Sequence, residues 1–281
     1  MGTLAALGAA FCVGSADFLG GWSTRRSGPL TVSVWINALA LMILAVAFAF
    51  VRPHLTGSQV AAALAGGVVG ALALNLIYAA LRAGAMSLVA PLVACGTAIV
   101  PSVASSVAGQ PPDALQILGT VFALSGVLRI TWSPQGGDHE SLTTRALMLA
   151  GGASLAGGVC FSILLLAAKG PGEVAVGIAA VERLSALATC LLFLPIVGGG
   201  LRLPSDVVPR IAAAGAFEAC GGLLYLLSST LGSTAVAGVV TSLYAIVTVF
   251  LARLVLRERI GSGQAFGVLA AVIGVALLSV G

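Results

Sequence analysis

The feature that most constrains this chain is a succession of long apolar runs separated by short polar breaks. Ten such runs can be read, at roughly 2–22, 31–51, 59–81, 86–108, 114–132, 145–168, 174–198, 209–229, 234–255 and 264–280. A helix needs about 20 apolar residues to cross a bilayer, and these runs have that length. Inside hydrocarbon every backbone polar group must be satisfied, so only helices and closed barrels span. Barrel strands alternate polar and apolar over about ten residues, whereas these runs are continuous; helices are expected. Composition closes the other routes. Only 8% of residues are charged and 59% are hydrophobic, against about 25% charged in a soluble domain. The mean hydropathy of +1.13 excludes disorder. Five cysteines in 281 residues, all within apolar stretches, do not make a disulfide framework. The net charge of +4 forms no basic stripe that could track phosphates, so no nucleic-acid partner is expected. The first run lacks a basic leader and reads as a retained helix rather than a cleaved signal.

Residues 134–144 form the one linker-like segment, near the middle of the chain. Sliding the second half back by 148 positions, without a gap, aligns helices and loops throughout. Cys12 then meets Cys160, Gly67 meets Gly215, Gly119 meets Gly267, and Gly126-Val127 meets Gly274-Val275. The expected organisation is therefore a duplication, 1–133 and 145–281. Five spans per half is an odd number, so the second half must insert upside down. The expected fold is an all-α integral membrane protein of ten transmembrane helices, built as two inverted five-helix repeats. Inverted repeats are a recurrent plan of secondary transporters, because two similar halves can exchange conformations.

The segment Ser242 to Ile260, ending Leu256-Arg257-Glu258-Arg259, is followed by Gln264, Gly267 and Gly274-Val275. It resembles the last two helices of EamA-type transporters of the drug/metabolite transporter superfamily. Tyr78 to Arg82, Ser87 to Pro91, Gln116 and Gly119 give a fainter copy in the first half. Val13-Gly14-Ser15 is similar to the family's Trp-Gly-Ser, and Arg183 matches a family arginine whose counterpart in the first half is Trp35. Gln110 stands where the family usually has a glutamate. The resemblance implies a ten-helix bundle that moves small organic solutes, with both termini in the cytoplasm. Loop charges imply the reverse: Arg25, Arg26, Arg82, Arg145, Arg202, Arg210, Arg257 and Arg259 follow odd-numbered helices, and only Arg52 and Lys169 follow even-numbered ones. The family arrangement is preferred here, because arginines at helix ends such as Arg82 and Arg210 can serve structure.

An ionisable side chain within the bilayer costs about 2.5–3.5 kcal/mol on insertion scales and tends to face the bundle interior. Asp17, Glu182, Arg183 and Glu218 are the four that stand out. Glu218 lies mid-span with no basic residue at i+3 or i+4, and Gly221, Gly222 and Tyr225 share its face. It is either a proton or cation site, since the bilayer interior disfavours the charged form, or a protonated acid bonding a neighbouring helix. Asp17 is read as the second proton-coupling candidate, or as an interfacial acid paired with Arg25-Arg26. Glu182 and Arg183 are adjacent, point about 100° apart and are not expected to pair; both are assigned structural roles near the headgroups. Softer substrate-binding candidates are Thr241, Tyr244, Asn75, Tyr78 and Pro91, alongside Glu218 and Tyr225. Interhelical hydrogen bonding is the bland alternative for these polar groups.

No catalytic residue, metal site or cofactor is expected. His54 and His139 lie in loops, and no phosphate-binding GxxxxGK[ST] occurs. The functional expectation is a secondary transporter of a small organic metabolite, working as exporter or exchanger with possible proton coupling, in a bacterial cytoplasmic membrane. A monomer or homodimer would suffice. The rival is a membrane scaffold or an intramembrane enzyme that transports nothing.

Overall fold

The computed structural model describes residues 2–107, 113–131, 143–168, 170–197, 199–231, 244–258 and 261–280. Ten helices run through them: α1 Gly2–Ser23, α2 Pro29–Val51, α3 Gly57–Ala83, α4 Met86–Val107, α5 Ala114–Thr131, α6 Thr144–Ala167, α7 Gly172–Phe193, α8 Val208–Leu231, α9 Tyr244–Val255 and α10 Ser262–Val280. The apolar runs and the helices coincide within a few residues, except that the start of the ninth run lies outside the described residues, as does most of the linker. Helix starts follow local chemistry. Pro29 opens α2, where a missing N–H costs nothing. Thr56 and Gln59 close a capping box on α3.

Six of the described helices (α1, α2, α3, α6, α7 and α8) contain a stretch long and apolar enough to cross a membrane, and the apolar parts of the other four are shorter. Side chains such as Leu4, Phe11, Met42, Phe50, Leu192 and Phe250 are exposed on the outside of the bundle. Buried alanines and the polar Ser15, Ser33 and Asn37 lie inside. An apolar exterior around small and polar interior residues is the pattern of a bundle solvated by lipid. The protein is an integral membrane protein.

Packing exchanges partners between the halves. Helix α1 packs on α8 as α6 packs on α3, and α9 packs on α1 as α4 packs on α6. Helices α2 and α7, α4 and α9, and α5 and α10 pair with each other across the halves. The α5–α10 crossing is the tightest to read. A methyl group on Gly126 would strike the Ala271 amide nitrogen and the Gly267 carbonyl, while one on Gly274 would strike the Ala123 amide nitrogen and the Gly119 carbonyl. Each contact is thus repeated by the residues 148 positions away.

One end of the bundle gathers the arginine-rich connections. There Arg210 lies 4.4 Å over the Trp22 ring, Thr31 donates to the Gly200 carbonyl, and Arg25 meets Glu258. Trp35, the counterpart of Arg183, turns to this end and donates to the Leu201 carbonyl at 2.9 Å.

Candidate functional site

Helix α7 carries the centre of the site. It packs against α2, α3 and α8, so residues along it are shielded from lipid on several sides. Arg183 Nη2 lies 2.7 Å from Glu218 Oε1 of α8. Its Nε lies 3.0 Å from Glu182 Oε2, and Nη1 donates to Asn37 Oδ1 of α2 at 3.1 Å. Asn37 is fully buried and is itself held by donating to the Ser33 carbonyl. One planar guanidinium therefore joins α2, α7 and α8, using its fixed fork of donors. Gly70 of α3 leaves the room that Glu182 fills, since a Cβ there would come 3.0 Å from Glu182 Oε1.

A third carboxylate lies nearby. Asp17 of α1 is buried and within electrostatic reach of Glu218. It makes no ion pair or hydrogen bond with any described residue. Tyr78 of α3 and Tyr244 of α9 are within electrostatic reach of it. The Tyr78 hydroxyl is fully buried with no hydrogen-bond partner among the described residues, and it packs against Gly20 of α1. Tyr244 bonds Thr97 of α4 through its side chain. Two of these buried carboxylates, Glu182 and Glu218, share one buried guanidinium, and Asp17 adds a third acid beside Glu218. A surplus of acid in a low-dielectric centre is relieved by a proton or by a bound cation.

The structure departs from the sequence reading at four points. Glu218 has a basic partner, because Arg183 reaches it from another helix, which spacing along α8 alone could not reveal. The room expected beside Gly222 is taken by that arginine, with Nη2 3.6 Å from where a Cβ would stand; Gly221 instead packs on Cys12 and Val13 of α1. Glu182 and Arg183 do pair: the Arg183 side chain turns inward, so its Nε meets the neighbouring carboxylate instead of snorkelling outward. Asp17 does not pair with Arg25, which is engaged by Glu258 at 3.3 Å.

The remaining candidates scatter. Tyr225 lies further along α8, its ring 5.0 Å from Phe161 of α6. Asn75 donates to the Ala71 carbonyl and to Cys190 Sγ, and its buried Oδ1 has no partner among the described residues. Pro91 is buried in α4, immediately before Leu92 and Val93, whose carbonyls accept from the Ser154 hydroxyl of α6. Thr241 lies outside the described residues. Thr248, on the same predicted face, donates to the Gly14 carbonyl at 3.0 Å and ties α9 to α1. Asn37 was not anticipated; its only signal in the sequence is an amide within the second apolar run.

With this geometry in place, the family model of the EamA-like transporter family matches residues 1–132 and again 144–280. The chain belongs to the EamA-like transporter family. It is a transporter-type membrane protein of the drug/metabolite kind. Among curated proteins, no relative matches the chain by sequence. Fifteen chains of known structure match its fold. One, a protein solved by crystallography, has a TM-score of 0.66 at 16% identity, over 98% of this chain and 95% of that one. At that identity the likeness concerns the fold alone.

Proposed function

We propose that the protein is a proton-coupled secondary transporter that exports or exchanges a small organic metabolite by alternating access. The observation that carries this reading is Asp17, a buried carboxylate with no cationic partner among the described residues, facing Glu218 from α8, Tyr78 from α3 and Tyr244 from α9. A group so placed can exchange a proton or receive a cationic substrate group as the surrounding helices rearrange. Glu218, held by Arg183, transmits that change to α2 and α7, while Arg183 and Glu182 keep the helices in register.

Ten spans in two inverted repeats, 1–133 and 145–281 joined by residues 134–144, complete the reading. The reciprocal contact of Gly126 with Ala271 and of Gly274 with Ala123 supports it. The remaining partners are the lipid bilayer of a bacterial cytoplasmic membrane and a small-molecule substrate, handled by a monomer or homodimer. Substrate contacts are assigned to Tyr78, Tyr244, Asn75, Tyr225, Thr241 and the Pro91 turn. Counterflow tests the reading. Purified protein in liposomes preloaded with single unlabelled amino acids, amines, nucleosides or sugars should accumulate the matching radiolabelled solute for at least one class. Absence of accumulation across all four classes would favour a scaffold.

A further inference from the structure

Glu258 stands apart from the central site and is one of the best-satisfied carboxylates in the protein. It follows α9 in the second half, yet its partners belong to the first. Oε2 accepts from the Ser87 backbone N–H at 2.9 Å and from the Ser87 hydroxyl at 2.8 Å. Oε1 accepts from the Met86 N–H at 3.1 Å and lies 3.3 Å from Arg25 Nη2. Met86 and Ser87 begin α4, whose first N–H groups have no partner within the helix. An anion there also meets the positive end of the helix dipole. The Glu258 side chain is only 3% exposed, whereas Arg25 is 43% exposed. The helix cap is thus the main tie, and the ion pair is the minor one.

The position of this tie matters more than its strength. Helices α4 and α9 are counterparts under the 148-residue repeat and pack against each other. Glu258 joins the beginning of α4 to the end of α9, at the end where Arg210 and Trp22, and Thr31 and Gly200, also meet across the halves. If the halves separate at this end, the carboxylate must leave four donors at once. Its counterpart in the first half is the neutral Gln110. Gln110 lies outside the described residues; as a neutral amide it lacks the charge that strengthens such a cap, so the sequence carries this carboxylate in one half alone.

We propose that Glu258 is a one-sided latch, holding the arginine-rich end of the bundle closed and biasing the resting protein toward that conformation. The inference rests on the alternating-access reading above. Its measurement is of distance, not of transport, so the two can fail separately.

Spin labels at Arg82→Cys and Arg253→Cys, in a background without native cysteines, report the separation of α3 and α9 near this end. Both arginines are exposed and outside the latch. In lipid nanodiscs the unmodified latch should give one dominant short distance. Glu258→Gln should shift the ratio of long to short distances at least tenfold toward long, and Ser87→Ala, which removes one bond and keeps the carboxylate, should shift it less but in the same direction. Ser87→Ala carries the test if Glu258→Gln does not fold. An unchanged distribution in the folded variants would overturn the latch. So would a loss of thermal stability with no redistribution, which would make Glu258 a static clip.

Discussion

Arg183 holds two carboxylates and an amide at distances of 2.7–3.1 Å, so its removal leaves charges that the bundle interior cannot solvate. Breaking a buried ion pair by deleting one partner costs about 3–5 kcal/mol. Arg183→Leu should therefore lower stability by about that amount, read as a loss of folded protein in thermal or denaturant titration in detergent. Glu218→Gln keeps a hydrogen-bond acceptor for the guanidinium and should cost clearly less. An Arg183→Leu protein as stable as its parent would show that the cluster is solvated. The four ionisable residues of this centre were visible from the sequence, because charge is so scarce in the apolar runs. Their partnerships were not. Helical spacing describes neighbours on one helix, and Arg183 finds Glu218 on α8 and Asn37 on α2. Adjacent residues also diverge only at Cβ; a long guanidinium side chain can turn back to its neighbour.

At the scale of the helix, α5 and α10 touch backbone to backbone. Gly126 and Gly274 permit that approach, since a single methyl group on either meets main-chain atoms of the other helix. Overpacking of this kind costs roughly 1–3 kcal/mol. Gly126→Ala and Gly274→Ala should each destabilise by a comparable amount, as the contact is reciprocal, and a melting-temperature series would read it. A large loss in one with none in the other would contradict the two-fold relation. Helix positions were legible because apolar run length and polar breaks are set by the membrane itself. The glycines were legible too, as matching pairs 148 residues apart. That these particular pairs would meet each other was not, because a repeat says which residues correspond and nothing about which ones touch.

For the whole molecule, the positions of the arginines bear on the orientation in the membrane. Arg25 and Arg210 are tied to Glu258, Asp206 and Trp22. Arg82 and Arg145, in contrast, line an open cleft of about 390 Å³ with Pro29, Ala79 and Ala83 and bond no acid among the described residues. Arg210 thus has structural partners, and Arg82 has no acidic one among the described residues. The positive-inside bias predicts that the arginine-rich end faces the cytoplasm and that the far end of α10 faces outward. A reporter active only in the cytoplasm, fused after residue 281, should be silent, and an active one would restore the family arrangement.

In the proposed mechanism a solute and a proton share the centre built around Asp17. Proteoliposomes loaded with a pH-sensitive dye and challenged with amino acids, amines, nucleosides and sugars measure this directly. At least one solute should drive a proton flux through the parent protein. Asp17→Asn, folded and with an unchanged melting temperature, should move no protons with that solute. A solute carried with no proton movement, or an Asp17→Asn flux with the parental pH profile, would contradict the claim.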